Sequence, residues 1–321
     1  MKPTQPTSSL RIVSLLPSAT EIVCRLGLKG NLVGLSHECD FPEDLSHLPR
    51  LTQPRIDPNL RGEAIHKDLS LLIKNGLSIY DVNVELLASL APDWILTQDQ
   101  CKVCAVSVED VEKALCQLAQ SQTQICTLSP HCLDDIHRDF LKVGTALNKV
   151  QEAKDLITEF WIKLNQINSK VGTDLPGRPR VLCLEWLEPL MVGGGWIPEL
   201  VKLAGGEPLI VSKAEKFKTI SWDEVVQSDP DIVVIFPCGY PMSKTQNEIE
   251  TSTELKQLRS LRAFRQNKIF ICDGNQFFNR PGPRIIDSCE ILASLLFPEK
   301  FSSATSCYLG KAFIPWRPYE N

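Results

Sequence analysis

Cys101 and Cys104 are the residues whose type and spacing most directly offer chemistry in this chain. They stand in the polar stretch Gln98-Asp99-Gln100-Cys101-Lys102-Val103-Cys104, which follows the apolar run Trp94-Ile95-Leu96-Thr97. Two thiols separated by two residues have the spacing of one half of a thiolate metal site. Cys39, His37 or Cys238, each in a polar or Gly/Pro-rich stretch, are the candidates to complete it. An iron–sulfur cluster would draw on the same thiolates, although its usual spacings are absent. Redox chemistry is another use of such a pair; in thioredoxin-like proteins the first thiol begins a helix whose dipole lowers its pKa. Here the helix cap falls at Ser107, after the pair, which disfavours that use. Two thiols that only pack the loop make a third reading, level with the others.

Other reactive or ligand-contacting types cluster in a few short stretches. These are Pro17-Ser18, His37-Glu38-Cys39-Asp40, Gln98-Asp99, Glu185-Trp186 and Gly193-Gly194-Gly195-Trp196. Further along come Cys238-Gly239-Tyr240 and Asp273-Gly274-Asn275-Gln276-Phe277-Phe278-Asn279-Arg280-Pro281-Gly282-Pro283-Arg284. Each has a plainer alternative. His37 suits an imidazole bonding loop backbone, Trp186 and Trp196 suit a core, and Arg280 and Arg284 suit pairing with Asp273 and Asp287. Around Pro281-Gly282-Pro283 the same arginines suit an anionic ligand.

The elements that must position these stretches follow from the apolar pattern. Arg11–Leu16, Leu32–Leu35, Trp94–Thr97, Thr123–Leu128, Val181–Leu184, Ile232–Phe236 and Ile269–Cys272 read as buried strands. Between them lie helical stretches with cap signals: Ser18 to Glu21 as a capping box, Gly27 as a stop, Asn83 as a cap, Gly205-Gly206 as the stop of a helix from Pro198 to Ala204, Ser221 to Glu224 as a second box. Strand and helix alternating in this way predict parallel sheets, and ligands of such sheets bind beyond the carboxyl ends of the strands. Every stretch named above falls there, so a binding site is favoured over random surface.

From Asp134 to about Lys170 there is no proline and a single glycine, and apolar residues recur from Ile136 to Ile167 at helical spacing. One helix of roughly 50 Å is expected, at about 1.5 Å per residue. The resulting division is an α/β lobe over residues 1–132, a long linking helix over 133–170 and a second α/β lobe over 171–321, with a tail after Pro298 wrapping loosely. Ala91-Pro92-Asp93 and Asp229-Pro230-Asp231, each leading into a strand and then a thiol-bearing loop, make the two lobes look related.

Composition narrows the function. Of 321 residues, 43% are hydrophobic and 23% charged, ordinary values for a globular protein. The net charge of -5 and the lack of a basic tract argue against nucleic acid and anionic membranes as partners. No apolar run of about 18 residues predicts a membrane span. Met1 to Leu10 is polar and proline-containing without an apolar signal core, from which a cytoplasmic protein is expected. In that compartment twelve cysteines argue against a disulfide framework. No P-loop, G-x-S-x-G or H-E-x-x-H motif is present, which lowers the prior for an enzyme.

Arg11-Ile12-Val13-Ser14-Leu15-Leu16-Pro17-Ser18-Ala19-Thr20-Glu21, with Gly27 and Val33-Gly34, resembles the start of the substrate-binding proteins of cobalamin and iron–siderophore ABC transporters. The two Pro-Asp strand entries and the long central helix are similar as well, and the likeness runs over about residues 11 to 300. A subgroup labelled cobalamin-binding is closer still, through Ser36-His37-Glu38-Cys39-Asp40, Thr97-Gln98-Asp99 with Cys101 and Cys104, and Leu184-Glu185-Trp186-Leu187. Pro237-Cys238-Gly239 and Asp273-Gly274-Asn275 with Arg280-Pro281-Gly282-Pro283-Arg284 complete that pattern.

The resemblance implies two Rossmann-like lobes with mostly parallel sheets, one rigid backbone helix and a ligand in the cleft between lobes. It also implies non-enzymatic binding of a corrinoid or another metal-chelate cofactor, by a cytosolic carrier or a transporter-type protein with a permease partner. Trp186, Trp196, Tyr240 and Phe277 would form apolar walls, Arg280 and Arg284 would meet anionic groups, and Pro17, Ser18, His37, Glu38, Gln98, Asp99, Glu185 and Asn275 would add polar contacts. Cys39, Cys101, Cys104 and Cys238 are the metal candidates. The alternative is a metal or iron–sulfur redox protein built on those four thiols.

Overall fold

The computed structural model of the protein describes residues 10–57, 59–74, 79–99, 109, 112, 122–172, 177–215 and 217–317. Gln100, Cys101, Cys104 and the helix start expected at Ser107 lie outside the described residues. The chain forms two compact units. One comprises Met1–Pro58, Lys67–Ser129 and Arg138–Ile157; the other comprises Asn59–His66, Pro130–His137 and Thr158–Asn321.

In the first unit, strands β1 (Ile12–Ser14) and β2 (Leu32–Leu35) are followed by a small antiparallel pair, β3 (Thr52–Pro54) with β4 (Tyr80–Val82). Strands β5 (Trp94–Gln98) and β6 (Gln124–Leu128) complete a parallel sheet in the order β2-β1-β5-β6. Val13, Leu15, Leu51, Leu87 and Ile95 form a buried cluster against it. Strand β3 lies in the stretch from Leu48 to Pro58, whose prolines and arginines mark it as loop, because three residues leave almost no period to read.

Helix α1 (Pro17–Arg25) corrects one expectation. Its cap is Leu16, without a side-chain hydrogen bond, and Pro17 holds the first helical position. There proline's fixed φ suits the helix and its missing N–H costs nothing, so Ser18 is buried inside the first turn instead of capping it. The stop at Gly27 does form: φ is 77°, the Gly27 N–H donates to Cys24 O and the Leu28 N–H to Val23 O. Helices α2 (Gly62–Lys74) and α3 (Val84–Leu90) follow, the latter capped by Asn83 Oδ1 accepting the Leu86 N–H at 2.9 Å.

The single helix expected over 134–170 is two helices, α4 (Leu133–Ala146) and α5 (Val150–Val171). Asn148 takes a left-handed φ of 56°, its N–H donating to Thr145 O, while the Lys149 N–H reaches back to Gly144 O at 2.6 Å. That pairing is a Schellman stop, which asparagine tolerates through its short polar side chain. Gly144 gives room for the turn: a Cβ there would overlap Ala153 and the Lys149 carbonyl. The apolar period passes through the break undisturbed, which is why periodicity alone missed it.

The second unit contains β7 (Arg180–Leu187), β8 (Leu190–Val192), β9 (Glu207–Pro208), β10 (Lys218–Thr219), β11 (Ile232–Ile235), β12 (Ile269–Cys272) and β13 (Phe313–Pro315). Its sheet runs β10-β8-β7-β11-β12-β13, with β9 beside β7. The centre β7–β11–β12 is parallel, and β8, β10 and β13 add antiparallel edges. Helices α6 (Ile197–Leu203), α7 (Trp222–Ser228), α8 (Met242–Thr251), α9 (Ile285–Leu296) and α10 (Ser302–Tyr308) surround it in sequence. Gly205 and Gly206 end α6 as expected, and Ser221 with Glu224 forms a complete capping box on α7. From Pro298 to residue 317 the chain packs closely, contrary to expectation, because Phe301, Phe313 and Trp316 are buried and β13 pairs with β12.

Both sheets begin the same way. Ala91 (φ 41°) and Asp229 (φ 38°) end α3 and α7 in the left-handed region. Two residues later Asp93 Oδ2 accepts the Arg11 N–H and Asp231 Oδ2 accepts the Arg180 N–H, each at 2.8 Å. The return bonds, Asp93 N–H to Arg11 O and Asp231 N–H to Arg180 O, are both 2.9 Å. Each aspartate therefore locks the strand it opens to the start of its neighbour.

Candidate functional site

In the first unit the carboxyl ends of β1, β2 and β5 carry Pro17, Ser18, His37, Glu38, Cys39, Gln98 and Asp99. His37 is tied down: its N–H donates to Thr52 Oγ1 at 3.0 Å, its Nδ1 lies 2.7 Å from the same oxygen, and its ring tilts against Tyr80. Nε2 lies 3.2 Å from Glu38 Oε1. Sequence reasoning missed Thr52 and Tyr80, which come from the small pair β3–β4. Gln98 is buried, while Asp99 is exposed, its N–H donating to Leu128 O at 3.0 Å.

Cys39 does not present a metal ligand. It is 1% exposed, the Thr20 hydroxyl donates to its Sγ at 3.1 Å, and the thiol faces Ser14 O at 3.9 Å. A small buried network, in which Thr20 Oγ1 also lies 2.9 Å from Ser14 Oγ, surrounds the residue. Among the described residues no group of three or more His, Cys, Asp or Glu is arranged to hold a metal. The thiols of Cys183, Cys272 and Cys289 are deeply buried, and burial pushes each of them up, which suits packing.

The second unit joins its strand ends more tightly. The loops after β11 and β12 are stitched by backbone bonds: Gly239 N–H to Gly274 O, and Gly274 and Asn275 N–H to Tyr240 O. The Cys238 N–H donates to Glu185 O in β7, and Asn279 Nδ2 donates to both Phe236 O and Gly274 O. Gly274 is obligatory there, since a Cβ would overlap the Phe236 and Pro237 backbone. Asp273 Oδ1 accepts the N–H groups of Asn275 and Gln276, turning the chain sharply after β12.

This scaffold gathers Glu185, Trp186, Cys238, Tyr240 and Asn275 at one strand-end face. Trp186 is partly exposed; its ring meets Tyr240 edge-on at 5.2 Å and its Nε1–H donates to Glu188 O. Tyr240 is buried, so it backs Trp186 instead of standing as a wall itself. Trp196 is buried too, its Nε1–H donating to Phe278 O at 2.7 Å, with Phe278 stacked on Phe236. Core packing thus accounts for Trp196, one of the two readings its sequence position after three glycines allowed. Arg280 is 7% exposed and donates to Asn275 Oδ1 at 3.0 Å; Arg284 lies 5.8 Å over the partly exposed Phe277 ring. Trp186, Tyr240, Asn275 and the buried Arg280 are thus linked through the loops after β7, β11 and β12, while Arg284 and Phe277 pair further along the last of them, where Phe277 meets Tyr308 edge-on.

Glu188 and Glu248 were not singled out from sequence. Glu188 accepts from Ser252 Oγ at 2.6 Å and pairs with Arg61; Glu248, buried on α8, accepts the Gly62 N–H at 3.2 Å. Acidic residues in ordinary helical stretches carry no signal that would have found them. An open hollow of about 510 Å³ lies elsewhere, against the opposite ends of β5 and β6, lined by Trp94, Ile125, Leu141 and Lys142 among others.

Parallel sheets whose carboxyl ends carry partly exposed aromatic, amide and guanidinium groups define a small-molecule binding protein. The family is explicit: the chain belongs to the periplasmic binding protein family, whose model matches residues 12–275. The vitamin B12-binding protein of Vibrio parahaemolyticus serotype O3:K6 is 23% identical over 289 residues, covering 89% of this chain and 90% of that protein. A periplasmic heme-binding protein from Pseudomonas aeruginosa matches with a TM-score of 0.67 at 20% identity, over 90% of this chain and 92% of that one. The periplasmic vitamin B12-binding protein BtuF of Vibrio cholerae matches with a TM-score of 0.61 at 18% identity, over 92% and 97%.

These structural likenesses establish the fold. The family match overturns the cytoplasmic expectation: the family is one of periplasmic binding proteins, and the composition of ten residues weighs little against a match over residues 12–275. Among the described residues no helix is long and apolar enough to cross a membrane.

Proposed function

We propose that the protein binds a corrinoid or another planar metal-chelate cofactor, releases it unchanged, and serves as the binding component of an ABC-type uptake system. The observation that carries this reading is the concentration of aromatic and guanidinium groups, Trp186, Phe277, Arg280 and Arg284, in the strand-end loops of the second unit. Trp186 offers an aromatic surface held from behind, and Arg284 beside Phe277 offers a cation next to an apolar ring. A macrocycle edged with amides or carboxylates needs both. The relatives named for vitamin B12 and for heme support the same ligand class. His37, Glu38, Gln98, Asp99, Pro17 and Ser18 are proposed as polar contacts from the first unit, with His37 oriented by Thr52.

Calorimetric and absorption titrations with cyanocobalamin, cobinamide and hemin test this. Saturable binding of at least one at micromolar concentration, with the ligand recovered unaltered, is the expected result. Absence of binding by all three, or chemical turnover of any, would refute the reading.

A further inference from the structure

Behind Trp186 lies an arrangement that packing alone does not account for. The Tyr240 hydroxyl is buried and makes no hydrogen bond of ordinary geometry, although the Glu248 carboxyl is close enough to act on it; a loosely satisfied buried phenol is expensive. Its neighbour is the carboxyl of Glu248, 4% exposed on α8. Glu248 Oε2 accepts the Gly62 N–H, and Oε1 sits beside Gly62, 2.5 Å from where a Cβ would project. The Tyr240 hydroxyl lies 3.5 Å from that same point. Gly62 therefore leaves open the space in which carboxyl and phenol face each other.

We propose that Glu248 is the positioning residue for the Trp186 face: it fixes Tyr240, Tyr240 fixes Trp186, and the proton on Glu248 controls that support. This rests on Trp186 contacting the ligand as proposed above. With its proton in place, Glu248 accepts the Gly62 N–H on one oxygen and can donate from the other to the Tyr240 oxygen, with no buried charge beside Glu188. Without it, Tyr240 can still donate to the carboxylate, but that buried charge then stands beside a second one, Glu188, and repulsion between the two works against the contact that holds the phenol.

The charged groups around it do not neutralise that arrangement. Arg61, from the segment before α2, pairs with Glu188 at 3.8 Å. Lys244, one turn earlier on α8, sits over the Tyr240 ring at 3.8 Å from its centroid. Burial first, then Glu188, hold the Glu248 carboxyl above its ordinary range, against the opposing pull of the Gly62 N–H, Lys244 and Tyr240. The Tyr240 phenol is pushed up by burial and by Glu248, so it keeps its hydrogen. Because the folded state holds the Glu248 proton more tightly than the unfolded chain, the stability it contributes is present at acid pH. That stability is lost as pH rises through the raised folded value.

The test follows tryptophan fluorescence of the ligand-free protein from about pH 5 to about pH 9, within the range where a raised carboxyl titrates. Wild type is compared with Glu248→Gln, Tyr240→Phe and Trp186→Phe, each checked for folding by circular dichroism. A transition in wild type that disappears in all three variants is expected. So is cyanocobalamin or hemin affinity that falls about three- to tenfold over that range in wild type, the worth of an edge-on aromatic pair, and stays flat in Glu248→Gln. An unchanged transition in Glu248→Gln, or in Tyr240→Phe should the first variant not fold, overturns the proposal. A Glu248-dependent transition in a protein that binds none of the ligands would refute the ligand reading and leave the positioning role standing.

Discussion

The two sheets start alike and finish differently. At their entries, Asp93 and Asp231 make the same pair of backbone bonds to Arg11 and Arg180, after helices ended by the same left-handed turn. At their exits the first unit places His37 on Thr52 and sinks Cys39 among hydroxyls, whereas the second binds three loops together around Gly274 and Asn279. Entry geometry is a folding requirement, since each strand must register on its neighbour. Exit geometry is free to diverge, and divergence there is where recognition arises.

Three pairs of substitutions would break or sharpen that contrast. Gly274→Ala is the most severe: it drives a methyl into the Phe236 and Pro237 backbone, which cannot yield as a flexible side chain would. A loss of about 3 kcal/mol or more in urea unfolding is expected. Gly30→Ala, with open space around it, should stay within about 0.5 kcal/mol. Equal losses would mean that the second unit's exits are not specially constrained.

The paired aspartates come next. Asp231→Ala should cost about 2 kcal/mol and Asp93→Ala about 1 kcal/mol by thermal unfolding. The larger figure reflects Arg262, which also pairs with Asp231 at 2.9 Å, and the lower exposure of that site. No loss at either position would remove the claim that the entries are equivalent devices.

The smallest effect separates the exits by ligand affinity. Trp186→Ala should weaken binding by about tenfold or more, as removal of a central aromatic contact does, and His37→Ala by only a few-fold. Titration calorimetry reads both. A reversed order would move the principal recognition surface to the first unit.

Much of this was legible before any coordinates. Gly27, Asn83, Ser221 with Glu224, and Gly205 with Gly206 acted as the local signals they are, because a cap or stop depends on a few adjacent residues. The parallel strands were legible as short apolar runs between helices, and the Pro-Asp entries as an echo. Ser18 misled because Pro17 beside it makes a side-chain cap unnecessary. Asn148 was passed over because helical periodicity is blind to a stop that preserves the apolar face.

Residue type identified where chemistry gathers, yet not which side chains face outward. Trp186 and Trp196 read alike in sequence, but a single bond to Phe278 O fixes the second inside the core. Tyr240 became a support instead of a wall for the same reason: burial is decided by loops far apart in sequence. Glu248 was invisible because its partners, Gly62 and Tyr240, come from segments that only the fold unites.

Hydrogen exchange in the presence and absence of bound cyanocobalamin, or of hemin if that is the ligand taken, addresses the central claim most directly. Protection is predicted to concentrate in peptides containing Trp186, Cys238–Tyr240 and Asn275–Arg284, with weaker protection around His37 and Asp99. Protection confined to the hollow bounded by Trp94, Ile125 and Leu141, with none at those strand ends, would contradict the account.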